Sequence, residues 1–176
     1  MLRYLIPTFI LGALLGMLAC TNITIEPTCP SEFAEIEYNG QQMCVMRDYY
    51  SVNDVREPLT YNDAMQLAAE NGWQLPTQEL VDYIWQIADC RLEPIPMTPD
   101  AGMTTPARFA EHDALIDQQL EGLDCQIVAG HKKDVLSNGN IYGWHRLNGT
   151  PIQPQTGIHG NNYRDYSHGI RFVFTL

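Results

Sequence analysis

The fold is set first by the stretch FAEIEYNGQQMCVMR at residues 33–47. Two runs that contain apolar residues, 33–38 and 41–47, flank the dipeptide Asn39-Gly40. Asn-Gly readily adopts the positive φ angles that a two-residue type I′ turn requires. The stretch therefore predicts an antiparallel β-hairpin at the start of the folded domain.

Three helices are predicted to follow the hairpin. Thr60 begins the first as its N-cap, and Gly72 ends it. Thr77 begins the second, in which apolar residues recur at the spacing of one helical face: Leu80, Val81, Ile84, Trp85 and Ala88. Pro106 lies in the first turn of the third, where a proline costs no hydrogen bond, and this helix extends to about Leu120.

The rest of the chain is predicted to form a loop and then strands. Residues 91–104 contain three prolines, which favours a loop between the second and third helices. Short apolar or aromatic runs separated by turn signals predict strands at 126–129, 135–136, 141–146 and 170–175. The order predicts a single α+β domain over residues 33–176, with an N-terminal β-hairpin, about three helices and a C-terminal antiparallel sheet.

The N-terminus, residues 1–19, predicts a cleaved secretory signal peptide. A single positive charge, Arg3, precedes an uncharged apolar run that ends at Ala19-Cys20. This ending resembles the lipobox of bacterial lipoproteins, so Cys20 is predicted to carry a lipid, with residues 20–32 as a tether. The absence of Asp after Cys20 resembles outer-membrane sorting, which predicts a lipid-anchored protein of the cell envelope, in the outer membrane or periplasm. The alternative is an uncleaved anchor, since the run is near the minimum length of a spanning helix.

The cysteine count fits export. With Cys20 set aside for lipid, four cysteines remain, an even number suited to an oxidising compartment. Three pairings are possible, and the shortest loops favour Cys29–Cys44 and Cys90–Cys125; free buried thiols are the alternative. The chain has no Cys-x-x-Cys spacing, which disfavours a thioredoxin-like site or a cysteine zinc site.

The charge of the chain is uneven. The formal net charge is −11, but residues 126–176 contain five basic and only two acidic residues. The acidic body excludes nucleic acid as the main partner. The basic C-terminal part favours an anionic ligand, such as a carboxylate-bearing glycan or peptide, or alternatively pairs with the acidic half of the same chain.

The residues best suited to chemistry lie in the C-terminal third. Four of the five histidines follow residue 130, beside glycines, aromatic residues and charges. Histidine transfers protons near neutral pH, so the predicted catalytic residues are His131, His145, His159, Asp165 and His168. The residues predicted to bind the substrate are Lys133, Trp144, Tyr163, Tyr166 and Arg171. The alternative is that these side chains only complete a hydrogen-bond network on a half-buried sheet.

Neither metal nor serine catalysis has a good sequence signal. Three histidines and Asp165 could supply zinc ligands, but no HExxH or HxH spacing is present, so no cofactor is predicted and zinc is kept as an alternative. Ser167 stands beside His168, but adjacent residues of a strand point to opposite faces and rarely form a catalytic pair.

Several segments together resemble an uncharacterised family of bacterial exported proteins. The likeness covers about residues 43–173, and its segments are GWQLPT at 72–77, VDYIW at 81–85, AGHKKDV at 129–135, YGWHRLNGTPIQP at 142–154 and DYSHGIRFV at 165–173. The resemblance implies no activity. The short Leu-Pro-Thr segment also resembles one found in C-type-lectin-like and sulfatase-modifying-factor domains.

Two functions follow as hypotheses. The first is a hydrolase that acts on a cell-wall or surface polymer, with the histidine-rich C-terminal sheet as its site. The second is a non-catalytic lipoprotein that binds a glycan or a partner protein of the envelope. Histidines that line one pocket would favour the first hypothesis, and scattered histidines would favour the second.

Overall fold

The computed structural model describes residues 28–157 and 159–176. The predicted signal peptide, the predicted lipidation site Cys20 and tether residues 20–27 lie outside the described residues. Within the described ranges, no helix combines the length and the apolar character that crossing a membrane would need.

The predicted α+β fold is confirmed: an N-terminal antiparallel hairpin, three helices and a C-terminal sheet make up the described part of the chain. The helices are Tyr61–Asn71 (α1), Gln78–Ile87 (α2) and Pro106–Leu120 (α3). The strands are Phe33–Tyr38 (β1), Gln41–Met46 (β2), Ser51–Val52 (β3), Val55–Arg56 (β4), Cys90–Arg91 (β5), Val128–Ala129 (β6), Lys133–Val135 (β7), Asn140–His145 (β8), Pro151–Gly157 (β9), His168–Gly169 (β10) and Val173–Thr175 (β11).

Local signals form the predicted turn and caps. Asn39 and Gly40 have φ angles of 52° and 75°, as a type I′ turn requires. The Thr60 side chain accepts a hydrogen bond from the Asp63 amide at the start of α1, and Thr77 caps α2 in the same way. These caps satisfy amides that have no partner within the helix.

The first sheet has the strand order β1-β2-β11 and lies between two helices. Neighbouring residues of a strand point to opposite faces, so each strand contributes to two hydrophobic clusters. One cluster contains Phe33, Cys44, Ala64 and Ala68, on the α1 side. The other contains Ala34, Val45, Leu80 and Ile84, on the α2 side. This sheet therefore fixes the position of α2, which forms one wall of the candidate site described below.

The second sheet has the strand order β10-β7-β8-β9, in which β7, β8 and β9 are antiparallel and β10 is parallel to β7. Of the strand predicted over 170–175, only Val173–Thr175 (β11) forms, and it pairs with β2 in the first sheet, whereas β10 at His168–Gly169, just before the predicted range, belongs to the second sheet. Arg171 lies at this crossing and donates hydrogen bonds to the carbonyl oxygens of Met46 at 2.6 Å and Val128 at 2.7 Å. The C-terminal segment thus joins the two sheets.

Three pairings were not predicted from the sequence: the β3–β4 hairpin, the parallel β5–β6 pair and the edge strand β9. Strand β9 contains Pro151 and Pro154. A proline has no amide hydrogen to donate, but an edge strand tolerates this because one of its sides has no partner strand. The two prolines are therefore compatible with an edge strand, although the sequence did not indicate one.

The favoured disulfide pairing is confirmed. Cys29–Cys44 joins the segment before β1 to β2, and Cys90–Cys125 joins β5 to the segment after α3. Each bond restricts the unfolded chain, which stabilises a domain of this size. The second bond also holds the C-terminal end of α2 against the rest of the domain.

Candidate functional site

The five predicted catalytic residues lie in three separate environments. His131 belongs to a buried charge network, which we define as Asp48, Arg56, Asp113, His131 and Lys132. His145 lies at a surface cleft beside Asp82. His159, Asp165 and His168 lie on the segment that leads into β10.

His131 is completely buried against Asp48 and Tyr49. Its Nε2 atom lies 3.0 Å from Asp48 Oδ1, but neither ring nitrogen has a well-aligned hydrogen bond to any described residue. Burial lowers the pKa of His131, and the Asp48 carboxylate opposes this effect only in part. The ring therefore packs as an interior group beside a carboxylate.

The remaining members of the buried charge network pair with one another. Lys132 Nζ lies 3.3 Å from Asp113 Oδ1 and donates to the Tyr166 carbonyl oxygen at 3.0 Å. The Arg56 guanidinium contacts Asp48 at 2.8 Å. Because burying an unpaired charge is costly, these pairs are needed for the interior to be stable.

Sequence reasoning missed the contribution of α3 to this interior. His112 and Asp113 lie between Phe109 and Ile116 on the buried face of the helix. Burial lowers the pKa of His112 to about 3, and its Nε2 atom lies 3.2 Å from the Ile95 carbonyl oxygen. Their position between two inward-facing apolar residues at helical spacing was the signal that could have identified them.

Asp165 organises the segment before β10. It accepts hydrogen bonds from the Ser167 hydroxyl at 2.6 Å and from the Tyr163 hydroxyl at 3.1 Å. His168 Nε2 lies 3.9 Å from Asp165, beyond hydrogen-bond distance, and burial lowers the pKa of His168 to about 4. His159 is exposed, with its ring centroid 4.7 Å from that of Tyr163. Ser167 thus bonds to a carboxylate and not to a histidine.

The predicted substrate-binding residues lie mostly in the interior. Trp144, Tyr166 and Arg171 are buried. The Trp144 indole donates to the His131 carbonyl oxygen at 3.1 Å, and the Tyr166 hydroxyl accepts from the Met97 amide at 2.8 Å. Lys133 Nζ lies 4.8 Å from the centre of the Trp144 ring. The polar groups of Trp144, Tyr166 and Lys133 therefore make contacts within the protein.

An irregularity in β8 shapes the surface cleft. Gly143 and Trp144 have positive φ angles of 100° and 57°, and the pairing with β9 shifts between Ile141 and Gly143. In a regular strand, Tyr142 and His145 would point to opposite faces. The bulge lets both side chains line the same cleft.

We call this cavity the α2–β8 cleft. It lies between α2 and the β8–β9 hairpin and has a volume of about 290 Å³. Its lining includes Asp82, Trp85, Gln86, Tyr142, His145 and Pro151. It therefore combines a carboxylate, an amide and aromatic rings at the protein surface.

Asp82 is the centre of the hydrogen bonds in the α2–β8 cleft. Its Oδ1 atom lies 3.0 Å from His145 Nε2 and accepts from the Tyr142 hydroxyl at 2.7 Å. Burial and this contact raise the pKa of Tyr142. The Asp82 side chain is 38% exposed and that of His145 only 3%, so Asp82 is the group that a ligand would meet first. Trp85 stacks on the His145 ring, with centroids 5.7 Å apart.

Sequence reasoning identified His145 but missed its partners on α2. Asp82, Trp85 and Gln86 lie beside the buried face of the helix, which is formed by Leu80, Val81 and Ile84. Asp82 and Gln86 are four residues apart and so point the same way. A polar pair beside an apolar helical face was the available signal.

His145 also borders a small internal cavity of about 10 Å³. On that side lies Asp134, whose Oδ2 atom accepts from the Tyr49 hydroxyl at 2.8 Å, while Oδ1 has no hydrogen bond to any described residue. Burial raises the pKa of Asp134, and Arg171 opposes this effect. His145 therefore separates the α2–β8 cleft from the interior.

Metal binding has no support in the geometry of residues 28–157 and 159–176. Within these ranges, no three His, Cys, Asp or Glu side chains are grouped as ligands of one ion. The zinc alternative is tested by metal analysis of the purified protein.

Comparison with known proteins gives no relative: no protein family, no curated protein and no solved structure matches the chain.

Proposed function

We propose that this chain is an exported lipoprotein that binds a glycan of the cell envelope in the α2–β8 cleft and does not cleave it. The observation that carries the proposal is the separation of the predicted histidines. His131, His145 and His168 are buried in three different places, and His145 borders an open cleft beside Asp82, whose side chain is 38% exposed. Scattered histidines favour a binding protein over an enzyme with a histidine-rich site.

The lining of the α2–β8 cleft suits sugars. Sugar hydroxyls both donate and accept hydrogen bonds, and Asp82 and Gln86 offer a carboxylate and an amide. The partly exposed side chains of Trp85 and Pro151 offer apolar surface for the C–H faces of a sugar ring. The volume of about 290 Å³ lies near the lower end for small-molecule sites.

The carboxylates of the cleft argue against glycoside cleavage. Most glycosidases place two carboxyl groups on opposite sides of the bond that they break. The β8–β9 wall of the α2–β8 cleft contributes no carboxylate among its lining residues. Glu79, three residues before Asp82, lies one turn away on the same helix. Both carboxylates would therefore approach a sugar from the same side.

The lipid anchor is a separate part of the proposal. Two disulfides in the described domain fit an oxidising compartment outside the cytosol. The nine residue steps from Cys20 to the bonded Cys29 span at most about 30 Å, so a lipid on Cys20 would hold the domain close to the membrane. We expect Cys20→Ser to abolish incorporation of labelled fatty acid and to release the protein from the membrane fraction. Labelling that persists in this variant would contradict the anchor.

Glycan binding is tested by titrating the mature protein with N-acetylglucosamine oligomers and analysing the recovered sugar. We expect saturable binding, recovery of intact sugar, and a loss of affinity of about tenfold in Asp82→Asn, since a charged hydrogen-bond partner is lost. Asp124→Asn changes an exposed carboxylate away from the cleft and should leave the affinity unchanged. The proposal fails if no oligomer binds to the wild-type protein.

A hydrolase is the second candidate, favoured by one observation: Asp82 is held by two donors and remains exposed. Such a carboxylate could take a proton from water as the water attacks a glycan. In that case labelled glycan strands would yield shorter products with the wild-type protein. Asp82→Asn would abolish product formation while Gln86 and Pro151 still contact the strand.

A further inference from the structure

A second cavity adjoins the α2–β8 cleft along the same helix. We call it the Gln155 cavity; its volume is about 370 Å³, and its lining includes Gln78, Glu79, Ser137, Asn138 and Gln155. Gln78 lines this cavity, and Asp82 and Gln86 line the α2–β8 cleft. These three residues are spaced by four, so they form one row of planar hydrogen-bonding groups along α2.

The opposite wall is continuous in the same way. Pro151 lines the α2–β8 cleft and Gln155 lines the Gln155 cavity, both from β9. Both residues line a cavity from β9, although the pairing of β9 with β8 shifts by one residue between Gln153 and Thr156. Four residue steps of a strand span about 13 Å. The eight residue steps from Gln78 to Gln86 on α2 span about 12 Å, so the two walls match in length.

Tyr142 stands at the junction of the two cavities. Its hydroxyl donates to Asp82 at 2.7 Å. Gln78, one helical turn before Asp82, lines the Gln155 cavity. The lining residues of the two cavities are therefore neighbours along α2, beside Tyr142.

We infer that the α2–β8 cleft and the Gln155 cavity form one groove, the α2 groove, that binds a linear glycan several sugar units long. This inference rests on the proposed glycan binding and specifies its ligand. A groove of about 12 Å is longer than one sugar ring. Its amide and carboxylate side chains recur at a regular spacing, which suits the repeated hydroxyl groups of a polymer.

Charge selects the class of glycan. The lining of the two cavities contains the carboxylates Glu79 and Asp82 and no lysine or arginine. The cations expected from the sequence to hold an anion lie elsewhere: Lys133 stacks on Trp144, and Arg171 is buried. The α2 groove therefore favours an uncharged or amino-bearing chain and repels one that carries carboxylates.

The test is a titration of the mature protein with N-acetylglucosamine oligomers of one to six units and with oligogalacturonates of equal length. We expect affinity for the N-acetylglucosamine series to rise about tenfold or more from dimer to hexamer, and oligogalacturonates to bind more weakly at each length. Gln155→Ala should lower hexamer affinity about five- to tenfold and leave dimer affinity unchanged. Gln118→Ala, on the exposed face of α3, is the matched control.

The outcomes separate this inference from the proposed function. Binding of the dimer without any gain in the hexamer overturns the extended groove and leaves glycan binding intact. Equal or tighter binding of oligogalacturonates overturns the charge argument. If neither series binds but a peptide does, both the glycan ligand and the α2 groove assignment fail.

Discussion

The molecule contains two histidine–aspartate pairs with the same separation and different surroundings. His131 Nε2 lies 3.0 Å from Asp48 in the buried charge network, and His145 Nε2 lies 3.0 Å from Asp82 in the α2–β8 cleft. His131 is enclosed, and Asp48 also pairs with Arg56. Asp82 faces a cleft and accepts a hydrogen bond from a tyrosine hydroxyl.

The difference shows that neighbours and exposure, not residue type, separate a structural pair from a candidate site. In the buried charge network, each carboxylate neutralises a cation that is buried or nearly so. In the α2–β8 cleft, the carboxylate keeps exposed lone pairs that a ligand could use. Substitutions in the first region should therefore change stability, and those in the second should change binding.

The largest expected effect is a difference in stability between substitutions of two adjacent lysines, Lys132 and Lys133. Lys132→Met leaves Asp113 buried without its cation, which should lower the free energy of unfolding by about 3–5 kcal/mol. Lys133→Met removes a half-buried charge that lies over the Trp144 ring and interacts with Asp165, and should cost no more than about 1 kcal/mol. Denaturant unfolding of the oxidised proteins measures both. Equal losses in the two variants would contradict the distinction between buried and half-buried charge.

The second expected effect is a loss of stability in acid. Burial lowers the pKa of His168 to about 4 and that of His112 to about 3, against an ordinary value of 6.5. Both groups take up protons more readily when the chain is unfolded. The stability that they contribute is therefore complete above pH 6.5 and is lost as the pH falls toward their folded pKa values.

Between pH 7 and pH 5, each of these two histidines should reduce the free energy of unfolding by about 2 kcal/mol. Unfolding curves at the two pH values measure the loss, and His168→Phe should remove its own share. The exposed His159 provides the control variant His159→Phe, which should keep the full pH dependence. An unchanged pH dependence in His168→Phe would show that His168 does not drive the effect.

Elements with local signals could be predicted from the sequence, whereas those that depend on distant partners could not. The hairpin turn at Asn39-Gly40 and the helix caps at Thr60 and Thr77 involve residues within three or four positions of each other. The change of sheet between β10 and β11 depends on β2, more than a hundred residues earlier in the chain. No periodicity within the segment could reveal that change of partner.

The same limit applies to the candidate site. The cluster of Gly and aromatic residues around His145 indicated a polar site, and His145 does line the α2–β8 cleft. Its partner Asp82 lies 63 positions earlier, on a helix whose sequence signal is its apolar face. The burial of His131 was equally hidden, because Asp48 comes from the region after the N-terminal hairpin.

A third prediction is that substituting Asp82 changes binding, whereas substituting Asp48 changes stability. Asp82→Asn should weaken N-acetylglucosamine oligomer binding about tenfold and change the free energy of unfolding by less than about 1 kcal/mol. Asp48→Asn should instead lower stability by about 2 kcal/mol, because the mostly buried Arg56 loses one of its two carboxylate partners, and should leave oligomer affinity unchanged. Titration measures the oligomer affinity of both variants, and denaturant unfolding measures their stability. A loss of stability in Asp82→Asn as large as that in Asp48→Asn would make the Asp82–His145 pair structural.

The smallest expected effect is that of removing the Tyr142 hydroxyl, which lies beside Asp82 in the α2 groove. Tyr142→Phe keeps the buried ring and removes only the hydroxyl that donates to Asp82 at 2.7 Å. The carboxylate retains His145, so stability should fall by no more than about 1 kcal/mol. Because the hydroxyl stands where the two cavities meet, the loss of affinity should be about threefold for the hexamer and smaller for the dimer. Titration with both oligomers measures the loss of affinity, and an equal loss for dimer and hexamer would place the whole ligand in the α2–β8 cleft. Denaturant unfolding measures stability, and a large loss there would show that Tyr142 has a structural role like that of the buried charge network.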